Sequence, residues 1–245
     1  MHYAHSDAGT LPFLEELSEY IRALPNHIAR SSLFAPVAKG PRKIHHETKL
    51  ITRIDAEITY SGEQLDEADA DLLMQLIHKS VARWLGKPVK VNRADMLREM
   101  GRSTGKHDYD WLHRRMRALT KAKLFIEAKG YRIGHTEAFH LLQSFTYDEF
   151  TGTFSFTLDT RWEQLFGNRE FAKINWQKRL QIGRGQDMSK ALQRLIATSS
   201  DKEQRNGLAW LKPKLQYTGR MRDFKVSVQP PRLPTTRRMP QTRAF

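Results

Sequence analysis

The alternation of apolar and polar positions divides this chain into short helices and strands. Leu14, Leu17, Ile21 and Leu24 recur at helical spacing and predict a helix over 11–24, stopped by Pro25. Asn26 can cap a second short helix from His27 to Phe34. Pro36, Gly40 and Pro41 mark 35–47 as a loop. Two strand-like runs, 49–53 and 56–60, lie close enough to pair. Asp66 opens a long helix through Leu85, with Leu73, Leu76, Ile77, Val81 and Trp84 inward and Gly86 as its stop.

The most informative stretch runs from Lys87 to His135. The β-branched run at 88–91 predicts a strand, and Asn92 can cap a helix from Arg93 to Met100. Gly101 stops that helix and 101–105 makes the turn. The next helix, over 106–122, carries Tyr109, Leu112, Met116 and Leu119 on one apolar stripe. Its other face shows Lys106, His113, Arg114, Arg117 and Lys121. Leu124–Ile126 and Tyr131–Ile133 flank Lys129-Gly130, a hairpin signal. By itself a basic helix face is a solvated surface; a hairpin directly after a helix-turn-helix changes that reading. The layout is that of a winged helix, which lays its second helix in the DNA major groove. Strands over 138–145 and 153–158 and a short helix over 161–166 close this first unit.

A second unit is expected from about Phe171. Asp187 or Ser189 can cap a helix carrying Leu192, Leu195 and Ile196. A turn at Asn206-Gly207 leads to Leu208, Leu211 and Leu215. After Gly219, the segment Arg220–Lys225 starts a basic helix in which Met221, Phe224 and Val228 keep helical spacing. Pro230-Pro231 forbids its continuation. The final 17 residues hold four prolines, four arginines and no acid, the composition of a disordered basic tail.

Charge narrows the partners. The 245 residues carry 41 Lys+Arg against 27 Asp+Glu, a net charge of +14, which favours a polyanion such as nucleic acid or an anionic membrane surface. The chain is long enough for one or two domains with a real core. Its apolar runs are a few residues long, so no transmembrane helix is expected. Met1–Asp7 lacks the basic start and apolar core of a signal peptide, and a cytoplasmic protein is expected. With no cysteine, disulfides, thiol catalysis and cysteine-ligated zinc are excluded.

Other chemistry is weakly supported. Gly101–Lys106 is one residue short of a phosphate-binding loop, and His107 stands where Ser or Thr would hold magnesium. Asp66–Asp71 lacks the glycine and final Glu of a calcium loop and better supplies charge at a helix N-terminus. Neither His45-His46 nor His135 with His140 has metal-ligand spacing. No nucleophile–base pair stands out, so neither an enzyme nor a cofactor is expected.

Several strings resemble the TrfA-type plasmid replication initiators. They are Leu24–Phe34, Ile58–Leu65 with the acidic start of the long helix, Leu85–Val89, Tyr131–His135, the Leu141-Leu142 strand and Asn175-Trp176. The resemblance spans 24–228, and Pro-Asn-x-Ile-Ala-Arg-Ser and Ile-Thr-Tyr-x-Gly are strings that no generic winged helix demands. It implies two tandem winged-helix domains that bind direct repeats (iterons) at a plasmid origin. It also implies help in melting the adjacent duplex, recruitment of the host initiator, replicative helicase and polymerase clamp, and dimerisation through the first domain. The family continues into a full helix and wing where this chain turns proline-rich.

The expected fold is therefore α+β. It comprises an N-terminal tail and helix (1–24), a first winged-helix domain (25–170), a truncated second one (171–228) and a disordered Pro/Arg-rich tail (229–245). Lys106, His113, Arg114, Arg117 and Lys121 are the expected DNA contacts of the first domain, and Arg220, Arg222 and Lys225 those of the second. Lys214 and Thr218 are expected to touch phosphate. The expected function is a non-enzymatic, sequence-specific initiator acting on double-stranded DNA. A repressor or partition adaptor is the alternative. A nickase or nuclease fits less well, because it needs a tyrosine or a carboxylate–metal constellation.

Overall fold

The structure, a computed structural model, describes residues 14, 17–36, 41–81, 83, 85–167, 169–183 and 185–229. The chain begins with β1 (Ile21–Pro25), α1 (Asn26–Ala29), β2 (Phe34–Ala35), β3 (Ile44–Lys49), β4 (Ala56–Glu63) and β5 (Leu65–Asp66). The long α2 (Glu67–Ser80) leads to β6 (Val89–Asn92), α3 (Arg93–Glu99) and α4 (Lys106–Lys121). Five strands and a helix follow: β7 (Lys123–Ala128), β8 (Tyr131–Ile133), β9 (Phe139–His140), β10 (Ser144–Asp148), β11 (Thr153–Thr157) and α5 (Trp162–Phe166). β12 (Phe171–Asn175) then precedes α6 (Trp176–Gln181), α7 (Asp187–Ile196), α8 (Leu208–Lys214) and α9 (Met221–Ser227).

Side-chain caps start the key helices. At α2, Asp66 Oδ1 accepts from the backbone N–H groups of Ala68 and Asp69 at 2.9 and 3.0 Å. Asp69 Oδ2 accepts in return from the Asp66 N–H at 2.9 Å, a capping box built from two aspartates. Asn92 Oδ1 accepts from Ala94 and Asp95 at the head of α3, and Asn175 Oδ1 from Lys178 at the head of α6. Helix α3 ends at Gly101, whose φ of +64° costs a residue without a Cβ little. The long helix stops at Ser80 rather than Leu85, and Trp84 lies outside the described residues.

Three N-terminal expectations are corrected. Ile21–Pro25 is a strand, paired antiparallel with β12 in the register Ile21↔Asn175 to Pro25↔Phe171. Its residues from Arg22 onward are buried, and a short run buried on both faces shows no strand period. The second helix covers only Asn26–Ala29, with Pro25 rather than Asn26 at its cap, because Phe34–Ala35 pairs in parallel with β5. The first strand of the next hairpin is Ile44–Lys49 rather than 49–53, so it lies mostly within the expected loop.

The hairpin across Lys129-Gly130 forms, with Ala128 opposite Tyr131 and Gly130 at φ +94°. Its strands, however, belong to a larger sheet in the order β3-β4-β7-β8, with β9 also on β7. The strand that precedes α3 and α4 pairs elsewhere. β6 lies antiparallel to β11, which pairs with β10, so the β10–β11 hairpin shares a sheet with the strand that leads into α3 and α4, and the 123–133 hairpin does not. Non-local pairing, invisible to local turn signals, decides which hairpin flanks α4.

Apolar burial falls into two clusters. The larger gathers α2, α3, α4 and their sheets and extends to Ala172, Ile174 and Trp176. The smaller holds Ala191, Leu195, Leu211, Leu215 and Phe224, from α7, α8 and α9. Between them runs a buried ionic seam: Glu67 and Asp71 of α2 pair with Arg179 and Arg194. Arg194 also donates to the backbone carbonyls of Ala29 and Phe34. No described helix is long and apolar enough to cross a membrane.

Candidate nucleic-acid interface

Helix α4 has two chemically distinct sides. Trp111, Leu112, Met116, Ala118 and Leu119 are buried, while Lys106, Arg114, Arg117 and Lys121 are exposed. Its sixteen residues span about 24 Å at 1.5 Å per residue, enough to follow a major groove for several base pairs. Among the described residues, none of these four cations has a carboxylate within ion-pair distance. Asp110 is exposed on the same side.

The fifth residue expected there is displaced. His113 is half-buried, with its ring edge-on to Phe145 and Tyr147 and tilted against Phe154, at centroid distances of 5.6, 6.0 and 6.1 Å. It packs α4 onto the β10–β11 hairpin instead of joining the exposed face. Wheel angle alone put it at the edge of that face, and the distant hairpin covers it.

One arginine of α4 sets the rotation of the helix. Arg115 is buried and donates through Nη2 to Asp69 Oδ2 at 2.9 Å and through Nη1 to Glu63 at 3.2 Å. Burial alone would lower its pKa, but the adjacent Asp69 carboxylate outweighs that and raises it. Arg42 shares Asp69 with Arg115 and also pairs with Asp66. Burial and the neighbouring Asp69 push the Asp66 carboxyl up to about 6, against the pull of Arg42. These pairs lock α4 to the N-terminus of α2. Arg42, Trp111 and Arg115 then floor a shallow depression rimmed by Arg114, Arg117 and Lys121.

The second expected patch is partly present. Thr218, Arg220, Arg222 and Lys225 are exposed, with Arg220 at the head of α9. Phe224 is the buried residue of that helix, held by Tyr217 at 5.1 Å between centroids. Lys214 is not available for phosphate. It is 4 % exposed, donates to the Thr52 carbonyl at 3.2 Å and lies 4.7 Å over the Trp210 ring. Desolvation, helped by Arg30, Arg194 and Arg53, lowers its pKa to about 8. A solvent-facing lysine was expected because the loop that covers it lies 162 residues away in sequence.

Sequence reasoning missed the β10–β11 hairpin as a partner of α4. Its tip is signalled by Asp148, whose Oδ1 accepts from the backbone N–H groups of Phe150 and Thr151, and by Gly152 at φ +63°. Phe150 at that tip is fully exposed, 103 %. Arg93, at the start of α3, stacks over Tyr109 at 4.0 Å and Tyr147 at 5.4 Å, bracing the hairpin against α4. Lys90 on β6 is exposed beside it.

Comparisons with known proteins agree with the sequence resemblance. Residues 11–198 match the family described as "TrfA protein". The chain is 27% identical over 172 residues to the plasmid replication initiator protein TrfA of Escherichia coli. That alignment covers 64% of this chain and 42% of the relative, so the chain spans less than half of its length. Among solved structures, domains 2 and 3 of RctB superpose with a TM-score of 0.57 at 12% identity, covering 83% of this chain and 81% of that one. A second structure of the same domains gives 0.50 at 13% identity, over 82% and 79%. At that identity the likeness is one of fold, mixed α and β.

Proposed function

Given that the chain belongs to the TrfA family, we propose that it is a plasmid replication initiator that binds repeats in double-stranded origin DNA. In this reading the first winged-helix unit occupies 25–170 and consists of α2, β6, α3, α4 and the β10–β11 wing. The second occupies 171–228, with α7, α8 and α9 as its three helices and no described wing; its first strand is shared with the core of the first. The observation that carries the proposal is the quartet Lys106, Arg114, Arg117 and Lys121, without a carboxylate partner among the described residues, along one side of a helix whose rotation is fixed by Arg115. Cations left unpaired in a protein rich in ion pairs suit phosphates and guanine edges. Thr218, Arg220, Arg222 and Lys225 supply the second contact.

Opening of the adjacent duplex, recruitment of host initiator, helicase and polymerase clamp, and homodimerisation are proposed on family membership. No step calls for a catalytic residue or cofactor. Footprinting on the plasmid's own origin tests the binding: protection of direct repeats supports it, and uniform or absent protection overturns it. An assay for melting of the neighbouring duplex separates an initiator from a repressor or partition adaptor, which would bind the repeats without opening DNA.

A further inference from the structure

Asp110 is the anomaly on the exposed side of α4. Lys106, Arg114 and Arg117 surround it in sequence at i−4, i+4 and i+7. Among the described residues its side chain makes no ion pair or hydrogen bond, not even with Arg114 one turn on. The helix N-terminus already has its first-turn acid in Asp108, which is buried and accepts from the Ser103 N–H and from Arg102. The Asp110 side chain therefore holds no described part of the fold in place. On a surface facing phosphates, a carboxylate lowers affinity for every DNA sequence alike.

We infer that Asp110 is a specificity-determining residue that accepts a hydrogen bond from the exocyclic amine of a cytosine in the major groove. The inference rests on the reading of α4 as the groove-bound helix, whose N-terminal residues meet base edges. Asp110 lies in the second turn. A carboxylate is an acceptor with no donor to offer. Guanine shows it the acceptors N7 and O6, thymine shows O4, and adenine pairs its N6 amine with an adjacent N7 lone pair. Cytosine alone presents a donor with no acceptor beside it. The flanking cations hold the phosphates on either side, so the acid costs some general affinity and returns discrimination at one base pair.

The experiment uses the full chain, its Asp110→Ala and Asp110→Asn variants, and a randomised duplex pool. Selection with the wild type should define a site containing a cytosine that Asp110→Ala no longer requires. Asp110→Asn, which can both accept and donate, should turn that position toward adenine. In the selected site, a cytosine analogue lacking the exocyclic amine should cost the wild type roughly tenfold or more in affinity and cost Asp110→Ala nothing. Both variants should bind unrelated duplex at least as tightly as the wild type. Identical selected sites for wild type and Asp110→Ala, with affinity raised on all sequences, would make Asp110 a surface charge and overturn the inference while leaving α4 as the DNA contact. A wild type that selects no site overturns the DNA reading itself.

Discussion

Arg194 Nη2 lies 2.7 Å from Glu67 Oε1, and both side chains are almost closed to solvent. The pair joins α7, which carries the smaller core, to the first turn of α2 in the larger. Burial alone would raise the Glu67 carboxyl, but Arg194 and Arg179 outweigh it and hold it below its usual range. The same junction is reinforced by Arg179 and Lys190 on Asp71, by Lys214 on the Thr52 carbonyl and by Ala197 against the larger core. Glu67→Ala leaves Arg194 buried against backbone carbonyls alone and should cost about 3–5 kcal/mol in urea unfolding, whereas Arg194→Ala leaves Glu67 paired with Arg179 and should cost less. A loss below about 1 kcal/mol would show the seam to be dispensable.

Binding to origin DNA should weaken steeply with salt. Each phosphate neutralised contributes a slope of about 0.9 in a log–log plot. Arg114→Ala and Arg117→Ala should preserve the circular dichroism spectrum, because both side chains are exposed. Each should either reduce that slope by about one, as a phosphate contact, or relax one base preference at a cost of about 1–3 kcal/mol. A double variant that binds and titrates like the wild type would remove α4 from the interface.

Local signals made the helices legible and long-range pairing made the sheets illegible. The Asp66 cap, the Asn92 cap, Gly101 and the Leu112–Met116–Leu119 stripe each act within a few residues, so sequence order contains them. The partner of Val89–Asn92 lies some sixty residues on, and nothing at Val91 announces Phe154 opposite it. The hairpin signal at Lys129-Gly130 was real but served the β4 sheet. The same blindness placed Lys214 in solvent and His113 on the exposed face, because the covering residues belong to distant segments. The four exposed cations of α4 were legible because a helical wheel needs only neighbours.

Lys214 offers a test through pH. Its folded pKa, about 8, lies below the ordinary lysine value of 10.5, so the unfolded chain binds its proton more tightly. Stability should therefore rise as pH increases from about 8 toward 10.5, as the charge penalty in the folded state is relieved. Lys214→Met should flatten that rise in thermal melts between pH 8 and 10. The same variant should leave DNA affinity unchanged, whereas Arg220→Ala should weaken it. Loss of binding in Lys214→Met, with the fold intact, would return this lysine to the interface.

The last prediction concerns the β10–β11 hairpin. Phe150 exposes its whole side chain, so Phe150→Ser removes no packing and should shift the melting temperature by no more than a surface substitution does, within about ±0.5 kcal/mol. A single exposed aromatic needs no cover in itself, but at a hairpin tip it is free to meet a partner. The adjacent Asp148 and Glu149 disfavour phosphate, so the tip cannot be held by backbone electrostatics. If the hairpin flanks α4 on the duplex, Phe150 meets the minor groove as an apolar wedge between base steps. Phe150→Ser should then reduce affinity with an unchanged salt slope, and it should shorten the footprint on one flank of each repeat. Arg93→Ala, which releases the stack on Tyr109 and Tyr147, should weaken binding in the same way by freeing the hairpin's angle. Full footprints from both variants, at wild-type affinity, would confine DNA contact to the helices.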